Sequence, residues 1–143
     1  MTDGASQYLN MKATEYSKAG YPHHAAWAFT TDNHDEQRIH NELKAHGIIK
    51  QFTNTMCVLT EQGLSLILDK LPSSSEANAL FEELKQAYVA AGYPERRNWA
   101  FAPNDDAEAR VYNELRARGY IEQRTMVMYV LSAAGQDEIM RGI

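Results

Sequence analysis

The residues best suited to recognition chemistry form a spaced series that occurs twice: Arg38, Asn41 and Lys44, then Arg110, Asn113 and Arg116. Helical geometry places each series on one outward surface if Ile39 and Leu43, or Val111 and Leu115, face inward. Arginine and lysine pair with guanine O6/N7 or with phosphate, and asparagine reads adenine N6/N7 through two hydrogen bonds. Arg124, with Arg96 and Arg97, adds cations able to hold phosphates. The same residues also make an ordinary solvated helix surface. Asp35 and Glu36, or Asp105, Asp106 and Glu108, suit the helix dipole at the start of that helix but repel phosphate there.

The other reactive types are less well spaced. All five histidines fall between positions 23 and 46, without the i, i+4 pair of a helical metal site. Their counterparts further on are Glu95, Arg96, Asp106, Tyr112 and Arg118, which would not rebuild a ligand set. Cys57 suits packing better than nucleophilic attack. Glu42 and Glu114 recur beside the apolar stripe, where a structural ion pair or a backbone hydrogen bond explains them better than general-base work. There is no phosphate-binding loop and no nucleophile beside a base. A non-enzymatic protein is expected, with no cofactor and no metal.

These residues are positioned by a stretch used twice. Arg38–Leu59, RIHNELKAHGIIKQFTNTMCVL, returns without a gap at Arg110–Leu131 as RVYNELRARGYIEQRTMVMYVL, 72 positions later. A fixed-period repeat predicts one module used twice: 1–71, a short linker at 72–76, and 77–143.

Within each module the pattern predicts helix, helix, helix, β-hairpin, helix, an α+β and mainly helical fold. The first helix is expected over Gln7–Lys18, capped by Ser6, and over Ala77–Ala90, with Gly20 and Gly92 as stops. Pro22 and Pro94 suit the first position of a short second helix, with Trp27, Phe29, Trp99 and Phe101 as core anchors. The third helix runs about Asp35–Ala45 and Asp106–Ala117. After Gly47 and Gly119 the period turns extended. Ile48–Phe52 and Thr55–Leu59 read as strands about a Thr53-Asn54 turn, and Tyr120–Arg124 and Val127–Leu131 about Thr125-Met126. Thr60 and Ser132 cap a last helix.

NELKAHGIIKQ…CVLTEQGLSLI and NELRARGYIEQ…YVLSAAGQDEI resemble the second half of winged helix-turn-helix domains in the MarR and PadR regulator families, over roughly 30 residues of each copy. That resemblance implies tandem winged-helix modules, double-stranded DNA as partner, and transcription regulation. It makes the third helix the reader, through Arg38, Asn41, Lys44, Arg110, Asn113 and Arg116, with Arg124 on the hairpin. The chain departs from those families in its short wings, in the lack of lysine or arginine at the Thr53-Asn54 tip, and in having no long dimerisation helices. Two modules in one chain suggest a monomeric pseudo-dimer, or a homodimer of such chains. The rival expectation is a protein-interaction adaptor whose surface is the run Met126, Val127, Met128 and Tyr129.

Composition sets the outer bounds. The formal charge is -5, against the positive field of a nonspecific DNA coater. One cysteine forms no internal disulfide, which suits a reducing cytoplasm. No apolar run approaches the ~20 residues that cross a bilayer, and the first residues lack the basic-then-apolar pattern of a signal peptide. A cytoplasmic protein with no membrane partner is expected.

Overall fold

Helix α1 spans Asp3–Lys18 because Thr2 caps it, its hydroxyl accepting from the Ala5 amide at 3.3 Å. Asp3 adds a favourable charge in the first turn. The helix therefore starts four residues before the expected Gln7, and Ser6 lies inside it. At its far end Gly20 takes φ 87° and Tyr21 φ 54°. Their amides return to the carbonyls of Ser17 (3.0 Å) and Tyr16 (3.2 Å), which satisfies the last turn.

The computed structural model describes residues 1–142 and separates into two compact units, Met1–Pro72 and Ser73–Ile143. After α1, the first unit contains β1 (Ala28–Phe29), α2 (His34–Ala45), β2 (Ile49–Gln51), β3 (Cys57–Leu59) and α3 (Glu61–Asp69). The second contains α4 (Ser75–Ala90), a 3-10 turn at Arg96–Asn98, β4 (Ala100–Phe101), α5 (Asp106–Ala117), β5 (Ile121–Gln123), β6 (Tyr129–Leu131) and α6 (Ala133–Arg141). Each helix and strand of the second unit begins and ends 72 positions after its counterpart. The class is α+β: six α-helices and two three-stranded antiparallel sheets among the described residues, in the orders β1-β3-β2 and β4-β6-β5. No helix among them is long and apolar enough to cross a membrane.

Three expectations need correction. The short second helix is reduced in both units, to the 3-10 turn at Arg96–Asn98 in the second and to less than that in the first. Residues 24–26 form only a turn, and the next residues join the sheet, with Ala28 opposite Val58 and Phe29 opposite Cys57. A segment of one or two turns gains little as a helix, whereas pairing with β3 satisfies its backbone. The Tyr16 hydroxyl also pins the segment by donating to the Pro22 carbonyl at 2.5 Å, as Tyr88 does to Pro94 at 2.7 Å. The linker is also shorter than predicted, since Ser74 caps α4 and brings residues 75–76 into the helix.

The third correction concerns the hairpin loops, which are five residues long, 52–56 and 124–128, rather than two-residue turns. The hydroxyl of Thr53 accepts from the amides of Thr55 (3.3 Å) and Met56 (3.1 Å), and Thr125 does the same for Val127 and Met128. That local bonding closes the wider loop together with the Phe52 and Arg124 amides, which donate to the Met56 and Met128 carbonyls at 2.8 Å.

Each core is closed by a glycine at the start of the last helix. A Cβ on Gly63 would collide with the Ile48 carbonyl oxygen, and one on Gly135 with that of Tyr120. Thr60 and Ser132 cap these helices and also donate to the Gly47 and Gly119 carbonyls, at 2.6 and 2.5 Å. This bonding links each last helix to the glycine that ends the helix before the hairpin.

Candidate binding surfaces

The α2 and α5 surfaces do not present all six expected readers equally. Arg38, Asn41 and Arg110 are exposed, while Lys44, Asn113 and Arg116 are half-buried. Lys44 Nζ donates to Gln51 Oε1 on β2 at 2.7 Å, and Arg116 Nη1 donates to Gln123 Oε1 on β5 at 3.3 Å. Asn113 Oδ1 accepts from Arg116 (3.3 Å) and from the Tyr129 hydroxyl (3.4 Å). The last cation of each series is thus bonded to its own hairpin, and in α5 the asparagine is bonded as well.

The inward face of the helix also differs from expectation. His40 and Leu43 are buried in α2, and Tyr112, Glu114 and Leu115 in α5, whereas Ile39 and Val111 are only half-buried. Two of the three cations proposed for phosphate have backbone partners too. Arg124 Nη1 donates to the Arg97 carbonyl at 2.5 Å and Arg96 Nη1 to the Leu131 carbonyl at 3.2 Å. At the helix starts, Asn33 and Asp105 accept from the amides of Glu36 (2.9 Å) and Glu108 (2.8 Å). Glu36 and Glu108 accept in turn from the amides of Asp32 and Asn104, one residue before each cap. Their negative charge belongs to the helix end.

The hairpin tip of the second unit is apolar and open: Met126 is 92% exposed, Val127 66% and Met128 37%. Tyr129 does not belong to that patch. It is 5% exposed, lies in β6 opposite Phe101 and Gln123, and packs its ring edge-on against Tyr112 at 5.1 Å. β6 is the middle strand of its sheet and all three of its residues are buried, Tyr129 among them. The tip of the first unit exposes Phe52 (59%) and Met56 (39%).

Glu42 accepts from the Thr2 amide (2.7 Å) and hydroxyl (2.8 Å), and Glu114 from those of Ser74 (3.0 and 2.7 Å). Each glutamate ties the middle of α2 or α5 to the start of α1 or α4. Backbone hydrogen bonding from Thr2 holds the Glu42 carboxyl below the ordinary glutamate value. Glu114 is buried and also pairs with Arg118 at 3.3 Å.

Sequence reasoning missed a polar cleft of about 400 Å³ in the first unit, lined by His40, Lys44, Gln51 and Cys57 among others. His40 is 1% exposed, and its Nε2 lies 2.6 Å from the Tyr8 hydroxyl. Burial pushes the imidazole down, the Tyr8 phenol up and the Cys57 thiol up. The signal available was the alignment of His40 with Tyr112, an aromatic at an inward position. Among the described residues no group of three His, Cys, Asp or Glu side chains is placed to hold a metal ion. Compared with family models, curated proteins and solved structures, the chain matches none of them.

Proposed function

We propose that this chain is a non-enzymatic binding protein made of two winged-helix-like modules, and that it engages a protein partner through its hairpin tips. The sheet order and the helix that runs directly into a hairpin support the winged-helix reading. Its departure is the second helix, reduced to a turn at 24–26 and to one 3-10 turn at Arg96–Asn98, so that neither unit has the full pair of helices of a helix-turn-helix. One observation carries the choice of partner. Met126, Val127 and Met128 stand together in solvent, and the loop at 52–56 has no cation. Covering such side chains releases about 25 cal/mol per Å² of apolar area, and methionine adapts to irregular partner surfaces. The single thiol suits a reducing cytoplasm.

The test places a photo-cross-linking side chain at Met126 and, as a control, at Gln136. Adducts with one defined protein are expected only from position 126, and Met126→Asp made together with Phe52→Asp should abolish that protein's binding. Equal labelling from both positions sinks the reading.

Double-stranded DNA is the second reading, favoured by the exposed Arg38 and Asn41 on α2. It predicts a salt-sensitive mobility shift with random duplex at low ionic strength, lost in an Arg38→Ala, Arg110→Ala variant. The absence of any shift at micromolar protein excludes it.

A further inference from the structure

The polar cleft of the first unit lies where α2, the β2–β3 hairpin and the Thr30–Thr31 segment meet. Donors converge on it. Lys44 Nζ uses one N–H on Gln51, which leaves two. Gln37 gives one amide N–H to Asn41 Oδ1 (3.1 Å) and accepts from the Thr31 hydroxyl (3.3 Å), which leaves its second N–H. Asn54 contributes a further side-chain amide from the loop.

His40 completes the set. Its Nε2 is the Tyr8 hydroxyl's hydrogen-bond partner among the described residues, and a buried phenol hydroxyl must donate somewhere. The hydroxyl therefore donates to Nε2, and the neutral ring carries its own proton on Nδ1. The contact with Tyr8 is the one hydrogen bond of the His40 ring among the described residues. No aspartate or glutamate lines the cleft, and Glu36 on the first turn of α2 is bonded to the Asp32 amide. A cluster of N–H donors, one fixed positive charge and no carboxylate suits a small anion.

We propose that this cleft binds a small, singly charged carboxylate bearing hydroxyl groups, with the carboxylate at Lys44 and His40 and the hydroxyls at Gln37, Asn54 and the neighbouring threonines. One lysine matches one negative charge, so a monocarboxylate suits the site better than a phosphate dianion. Cys57, held protonated by burial, packs at the wall and takes no covalent part. The site belongs to the first unit. Ala109, Tyr112, Met126 and Tyr129 stand where that unit has Gln37, His40, Asn54 and Cys57, and the two tyrosine rings pack together there.

The test titrates sodium glycerate into the full ¹⁵N-labelled chain, with sodium chloride of equal ionic strength as reference. Saturable shifts are expected at the side-chain amides of Gln37 and Asn54 and the backbone amides of Lys44 and Thr55. Lys44→Met should weaken the binding by at least about tenfold. Cys57→Tyr, which installs the residue of the second unit, should abolish it with the rest of the spectrum unchanged. If that variant fails to fold, Lys44→Met decides. Shifts that do not saturate, that survive Lys44→Met, or that glycerol or inorganic phosphate reproduces equally would overturn the proposal.

Discussion

The two units place the same elements at the same spacing, yet they fill one interior position differently. In the first, α2 contributes His40, bonded to Tyr8 and set edge-on to Phe29 at 5.4 Å. In the second, α5 contributes Tyr112, whose hydroxyl donates to the Ala102 carbonyl at 3.3 Å and whose ring meets Phe101 and Tyr129. Leu80 replaces Tyr8, and Tyr129 replaces Cys57. One arrangement spends volume on aromatic packing; the other leaves a polar cleft with a titratable floor. A fold held by glycines, caps and strand pairing tolerates either filling, so the chemistry can diverge without moving the elements.

The comparison breaks first where the two units are most alike. Gly63→Ala and Gly135→Ala each drive a methyl group into a backbone carbonyl that cannot yield as a side chain would. Each is expected to cost its own unit about 3 kcal/mol or more, read from urea unfolding followed by Trp27 in a Trp99→Phe background, or by Trp99 in a Trp27→Phe background. Similar losses from both would support a shared framework. A neutral result in either unit would deny the close approach.

The next contrast lies in the two glutamate ties. Glu114→Ala leaves Arg118 and the Ser74 amide without their buried partner, a loss of about 2–3 kcal/mol. Glu42→Ala removes the same bonds in solvent and should cost clearly less by the same measurement. Because the folded Glu42 value is depressed, its contribution is present at neutral pH and is lost as pH falls through that value.

The smallest expected effect is the sharpest test of the difference. Burial lowers the His40 value, with Lys12 and Lys44 adding to the shift and Glu36 opposing it. The unfolded ring therefore takes up a proton that the folded ring refuses. Below the ordinary value of 6.5 the first unit should lose stability as pH falls, until the folded ring also protonates. His24, also lowered mainly by burial, acts in the same direction. The second unit has no histidine. Tyr8→Leu with His40→Tyr, which installs the pair of the second unit, should flatten the urea unfolding free energy between pH 5 and 7 to within about 0.5 kcal/mol, apart from the His24 contribution. An unchanged slope would clear His40 of the effect.

Much of the framework was legible because it depends on local chemistry. Gly20, Gly47, Gly92 and Gly119 were readable as helix stops, and each takes positive φ. Thr60 and Ser132 were readable as caps, and both accept the amide three residues on. The second helix misled because Pro22 and Pro94 suit a helix start, while the choice was made by a distant strand, β3 or β6. The binding face was the least legible part. Lys44 and Arg116 look like free cations in the sequence, but Gln51 and Gln123, seven residues on, engage them. Tyr129 looks like part of an apolar run until pairing with β4 and β5 on either side buries the whole of β6.

The sequence by itself determined the period of 72, the helix stops and caps, and the inventory of donors and apolar tips. These follow from covalent geometry and near-neighbour hydrogen bonds, which act over a few residues. Only the tertiary structure decided that residues 28–29 are strand, that half the cationic series is bonded to the hairpins, and that His40 floors a polar cleft where Tyr112 packs. Those outcomes depend on contacts between residues 7 to 32 positions apart. Nothing in local composition says which groups will meet at such distances, or how much water will be left between them.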